Sequence, residues 1–145
     1  MTPPPLPRRR RTGRRVAALT GTSLGRAALL LAAADILHGI DHARQGRPLS
    51  AEVYTAGIAG WIALAVLLVL IARRHRLAEP YAAGVGASFV AGLLAVHVAP
   101  RWGALSDPYP DAGVDALSWV LLAVPVAAAM AVLATAARRR AQSYV

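Results

Sequence analysis

A chain of 145 residues has room for one domain, and 57% apolar residues with a positive mean hydropathy is too apolar for an ordinary soluble fold. The +9 net charge is carried by arginine without any lysine, in short clusters at the ends of apolar runs, which lack the aromatic and polar surface of a nucleic-acid groove and exclude that partner. The absence of cysteine excludes disulfides, thiolate metal sites, iron–sulfur clusters and covalently attached haem, and two methionines, Met1 and Met130, are too few for a thioether copper site.

Residues 1–25 open with proline and arginine and read as a disordered arm followed by an interfacial stretch or the first turns of a longer helix. Arg8, Arg9, Arg10, Arg11, Arg14 and Arg15 are candidates for binding anionic lipid headgroups, each contributing on the order of 1 kcal/mol. Four apolar runs follow, at about 26–44, 53–72, 81–99 and 114–137, each close to the roughly 20 residues that cross a hydrocarbon core of about 30 Å. The expected fold is therefore all-α, a four-helix transmembrane bundle over residues 26–137, with 138–145 as a short tail.

Twelve arginines flank one face of this bundle, in the N-terminal arm, at Arg73, Arg74 and Arg76, and at Arg138, Arg139 and Arg140; Arg44, Arg47 and Arg101 flank the other. Positive charge stays inside, so both termini are expected in the cytoplasm and the protein in the plasma or inner membrane. Arg26, at the start of the first span, can reach the inner face by snorkelling. A rival reading takes Arg14 and Arg15, a short apolar stretch and Ala32-Ala33-Ala34 as a cleaved export signal, but cleavage there strips most of the first span and leaves three helices.

The ionisable groups other than arginine are unevenly placed. Asp35, Asp41, Glu52, Asp107, Asp111 and Asp115 fall in the half away from the arginine clusters, as do His38, His42 and His97, while Glu79 and His75 lie on the arginine side. Charge inside lipid costs several kcal/mol unless it meets a partner or water, so polar residues within spans are candidates for function. In the run Asp35-Ile36-Leu37-His38-Gly39-Ile40-Asp41-His42, spacings of three and four put Asp35, His38 and His42 on one helical stripe, with Ile36, Leu37 and Ile40 turned to lipid. His97, three residues before Pro100 in the third span, lies at the depth of His38 and His42 if the antiparallel spans align.

Two or three imidazoles with a carboxylate suit a divalent transition metal, namely zinc, iron, manganese or copper. His38, His42, His97 and Asp35 are the expected metal ligands, with Asp35 as ligand or outer carboxylate, and Asp41, Asp107, Asp111 and Asp115 form the rim. Asp111 or Asp115 can also cap the fourth helix. The bland alternative is that Asp35 and His38 only pair to pin the bundle. A b-type haem between one histidine of the first span and His97 is a second functional alternative, and an accessory or proton-relay subunit of a larger membrane complex, or a homo-oligomer, is a third. Whether the site is catalytic stays open.

Small residues mark the second span at Ala56, Gly57, Ala59, Gly60 and Ala63, and the third at Gly84, Ser88 and Gly92, a pattern that lets helices approach closely. Gly86 and Val90 lie on the His97 side of the third span, so a close contact is expected beneath that histidine. Pro125 within the fourth span removes a hydrogen bond to the Leu121 carbonyl and should bend it. The loop from Arg101 to Gly113, with Trp102, Pro108, Tyr109 and Pro110, reads as a structured interfacial turn.

Residues His38 to Gly46 together with Val96 to Gly103 and Ser106-Asp107-Pro108-Tyr109-Pro110 resemble small, uncharacterised four-helix membrane proteins of actinobacteria, over about residues 27–138. The resemblance implies the fold and a membrane location; that family brings no assigned activity to transfer.

Overall fold

The computed structural model describes residues 8–142, all helix and connection, in the order α1 (Arg8–Thr20), α2 (Ser23–Gln45), α3 (Ala51–Ala72), α4 (Ala78–His97), α5 (Tyr109–Ala112) and α6 (Ala116–Gln142). Helices α2, α3, α4 and α6 are each long and apolar enough to cross a membrane. The prolines of residues 1–7 and the end of the chain at 143–145 lie outside the described residues. The stretch expected as a disordered arm as far as Arg15 is instead helical from Arg8 to Thr20. Helix α1 buries Ala18 and packs Leu19 on the core, so the arm is tied to the bundle at its C-terminal turn.

Each span has a local reason to start or stop. Thr22 caps α2, its hydroxyl accepting from the Gly25 amide, and Gly46 ends it in the left-handed conformation at φ 63°. Ser50 caps α3 through the Val53 amide. Helix α3 closes with two backbone bonds, His75 N–H to the Leu70 carbonyl and Arg74 N–H to that of Ile71, at the position where glycine is usual but Arg74 stands at φ 52°. Asp115 caps α6, accepting from the Ser118 amide at 3.0 Å, as one of the two sequence candidates for that role. Pro125 is buried inside an α6 that continues unbroken to Gln142.

Helix α6 packs along both α2 and α4, whereas α3 leans more lightly on α2 and α4. The apolar core joins Leu24, Ala28, Leu31 and Ala34 of α2 to residues of the other three spans, including Leu67, Ala82, Ala129 and Val132. In the antiparallel arrangement all of these lie toward the end of the bundle where the arginine clusters sit. The buried stripe of α2 then continues, at the same spacing of three and four, into His38 and Asp41, so the far end of the interior is polar. Meanwhile Leu30, Ile36, Leu37, Ile40, Ile62 and Val66 are exposed, an outward apolar surface of the kind lipid accommodates.

The glycines divide into two sets. A Cβ on Gly86 would meet the Ala129 carbonyl oxygen at 2.9 Å and the Leu133 nitrogen at 3.0 Å, so here α4 and α6 approach backbone to backbone, which is the close contact expected beneath His97. Gly57, Gly84 and Gly92 face open space instead. Their small size leaves a hollow between α3 and its neighbours where close packing had been expected.

Candidate metal centre

Helix α2 brings His38 and His42 to one face because residues four apart stack on successive turns. The C-terminal turn of α4 brings His97 to the same depth. The three rings form a compact triangle with centroid separations of 4.7 Å (His38 to His42), 5.0 Å (His38 to His97) and 5.1 Å (His42 to His97), and one ligand nitrogen from each lies within 4.8 Å of the others. His38 and His97 are buried and His42 is half-buried. Nε2 of His38 and Nε2 of His97 are 3.3 Å apart.

A loop folds back over this end of the bundle. The Asp107 amide donates to the Val96 carbonyl at 2.8 Å, the Trp102 amide to the Ser106 hydroxyl, and the Trp102 indole to the Ala95 carbonyl. This places the Asp107 carbonyl oxygen 3.3 Å from His97 Nδ1. A carbonyl can only accept, so Nδ1 carries the proton and Nε2 turns a lone pair toward the centre of the triangle. Such a backbone anchor is the usual outer support of a metal-binding imidazole.

The same loop seats Tyr109 against the histidines. Its ring is 4.7 Å from that of His97 and 6.3 Å from that of His42, with Trp119 of α6 edge-on behind it at 5.5 Å. Tyr109 is fully buried, and that burial pushes its hydroxyl up to about 12, so it stays protonated under any ordinary condition. Sequence reading treated Tyr109 as an interfacial turn residue; the signal available was a tyrosine held between Pro108 and Pro110.

No protein-family model, curated protein or solved structure matches the chain.

Of the remaining predicted residues, Asp35 lines the same hollow as the histidines, one turn below His38 on α2, but is not a member of the three-ligand cluster. Asp41, 1% exposed, accepts from Arg44 Nε at 2.8 Å and from the Gln45 side-chain amide at 2.7 Å. Arg44 also grips both oxygens of Asp115 and donates to Ser118, so these rim carboxylates are tied to arginine and serine and hold α2 to α6. The grip of Arg44 on Asp115, helped by the Ser118 amide, holds the Asp115 carboxyl down at about 2. Asp107 pairs with Arg47 at 2.7 Å. Asp111 is exposed in the first turn of α5. Arg44 and Arg47, which the sequence offered only as topology charges, are the groups that neutralise the acids around the centre.

Among the described residues, five buried side-chain polar atoms have no hydrogen-bond partner: His38 Nδ1, Gln45 Oε1, Arg47 Nη1, Asp107 Oδ2 and the Tyr109 hydroxyl. All belong to residues at the histidine end of the bundle. Unsatisfied buried polar groups are costly, so their gathering here marks this end as built for something other than packing.

Proposed function

We propose that His38, His42 and His97 hold one divalent transition-metal ion within the half of a multi-pass bundle that faces away from the cytoplasm. The observation that carries this reading is the 3.3 Å separation of two Nε2 atoms from different helices, with the third imidazole in reach. Ligands at about 2.0–2.1 Å in a tetrahedral arrangement stand about 3.3–3.4 Å from one another, so two ring nitrogens at this distance, which without an ion share a hydrogen bond, suit a cation between them when His38 carries its proton on Nδ1. Zinc, iron, manganese and copper(II) all accept imidazole, and the ring set alone does not select among them.

Three protein ligands leave a fourth position open, the pattern of centres that hold water or a substrate, where closed four-ligand sites are structural. A water held there has its pKa brought toward about 7, which makes hydrolytic chemistry accessible; iron or copper would bring redox chemistry instead. The haem alternative is less favoured, because two axial imidazoles must sit on opposite faces of a macrocycle. Here the His38 and His97 rings meet edge to face, with His42 filling the side. Arginine counting supports cytoplasmic termini and a cell-membrane location. Exposed Arg15 at that face suits contact with anionic headgroups, while the side chains of Arg8, Arg9, Arg10, Arg11 and Arg14 lie outside the described residues.

The test is elemental analysis of the full chain purified without chelator, together with an optical spectrum. About one transition-metal ion per chain is expected, falling to background in His38→Ala, His42→Ala and His97→Ala. Asp35→Asn should keep the metal, with affinity lowered by about tenfold at most, as befits an outer residue. Wild-type protein that emerges metal-free and fails to take up zinc, manganese, iron or copper on titration overturns the reading, and a Soret band would replace it with the haem alternative.

A further inference from the structure

Between α3 and the pair α2 and α4 runs a hollow of about 890 Å³ that includes the histidine centre at one end. It extends along α4 from His97 to Pro80, about 25 Å at about 1.5 Å per residue. Its walls are apolar or small over most of this length, with Gly57, Gly84 and Gly92 facing open space. Its imidazoles and its one carboxylate gather at the histidine end, His38, His42, His97 and, one turn deeper, Asp35, while Ser88 and Tyr81 bring single hydroxyls to the wall further along α4. His38 is 5% exposed, lines the hollow, and has an Nδ1 with no partner.

The volume lies within the roughly 300–1,000 Å³ of single-ligand pockets, which is the scale of one small molecule and not of a further helix. A mostly apolar hollow of this volume, drawn out over about 25 Å along the helices, suits one chain running parallel to the lipid tails. No arginine lines it among the described residues, so a phosphate head would find no guanidinium to pair with its oxygens, and Asp35 sets a carboxyl group against any anion. A hydroxyl would satisfy the polar end on both counts, its oxygen able to fill the open metal position while its O–H donates a hydrogen bond to Asp35.

We infer that this hollow binds a membrane-soluble alcohol or phenol, a single apolar chain ending in a neutral hydroxyl head, with the head at the histidine centre and the chain along Gly92, Gly57 and Gly84. The contact of the head with the metal rests on the function proposed above; the fit of the chain does not.

The probe is ω-bromoundecanol, whose bromine quenches tryptophan, added to the full chain in nanodiscs with and without Trp61→Phe, so that the quenching lost with Trp61, which lines the hollow, reports occupancy while Trp102 and Trp119 stay in place. Saturable quenching is expected, at least about tenfold weaker with bromoundecane, which lacks the hydroxyl, and at least about tenfold weaker in the Gly57→Leu/Gly92→Leu protein, whose added side chains occupy the channel. Should that double variant fail to fold, Gly84→Leu applies the same block further along. Quenching that rises linearly without saturation, or that is equal with and without the hydroxyl, or that survives both blocks, overturns the inference. Metal is measured in every sample: a metal-loaded protein that ignores the probe sinks the hydroxyl ligand alone, and a metal-free protein that binds it saturably sinks the metal centre alone.

Discussion

His97 is held by the backbone of Asp107, with Nδ1 3.3 Å from the carbonyl oxygen, while the Asp107 carboxylate turns to Arg47 at 2.7 Å. One residue thus orients a ligand with its main chain and fastens the connection between α2 and α3 to the capping loop with its side chain. The two roles separate by mutation. In Asp107→Asn the carbonyl survives, so metal stoichiometry should stay at the wild-type value, while replacing a partly buried ion pair by a neutral contact should cost about 1 kcal/mol of stability. Arg47→Ala should cost more, because it strands the Asp107 carboxylate, which is only 15% exposed. Metal analysis beside thermal unfolding in detergent checks this, and loss of metal in Asp107→Asn would show that the carboxylate, not the backbone, sets the ring.

The parts of the centre that follow from helical spacing were legible in the sequence. Residues four apart on one helix must share a face, so His38 and His42 could be paired on sight, and His97 joined them through the alignment of antiparallel spans. Asp35 satisfies the same spacing, yet a helix rises about 1.5 Å per residue, which leaves its carboxylate a turn deeper than the ring nitrogens and outside their cluster. Tyr109 and the Asp107 carbonyl could not be read, because they reach the histidines only through a loop whose course is set by long-range contacts such as Asp107 to Val96. Small-residue spacing was ambiguous for a similar reason. It marked a helix contact at Gly86 and a hollow at Gly84 and Gly92, and only the position of α3 tells them apart.

The bond network between α2 and α6 should carry an acid signature. Arg44 and the Ser118 amide hold the Asp115 carboxyl at about 2, below its unfolded value of about 3.9. A carboxyl lowered in this way stabilises the fold at every pH above the unfolded value, and the contribution fades as pH falls from about 4 to about 2. Unfolding temperatures of wild type and Asp115→Asn measured across that interval should differ above pH 4 and converge toward pH 2. Because Asp115 is solvent-exposed the gap should be modest, and high salt should narrow it. A gap that holds constant down to pH 2 would assign the effect to the helix cap alone.

Of the glycines of α3 and α4, Gly86 should be the least replaceable. A methyl there meets backbone atoms of Ala129 and Leu133 that cannot move without parting α4 from α6, so Gly86→Ala should cost about 1–3 kcal/mol. Gly84→Ala and Gly92→Ala meet nothing and replace a poor helix former with a good one, so each should be neutral or stabilising by up to about 1 kcal/mol. Denaturant midpoints in one detergent rank the three, and equal effects at all of them would remove the distinction between contact and hollow.

Tyr109 separates packing from hydrogen bonding at the roof of the centre. Its ring fills the space between His97 and Trp119, so Tyr109→Ala should open a cavity costing about 3–5 kcal/mol and release the Trp119 indole, seen as a shift in fluorescence. The hydroxyl is buried without a partner, and a group that forgoes water without compensation lowers stability by about 1–3 kcal/mol. Tyr109→Phe should therefore be at least as stable as wild type and keep its metal. A Phe variant that is clearly less stable, or that loses metal while remaining folded, would mean that this hydroxyl serves the bound ion or its water, and would move Tyr109 from roof to ligand sphere.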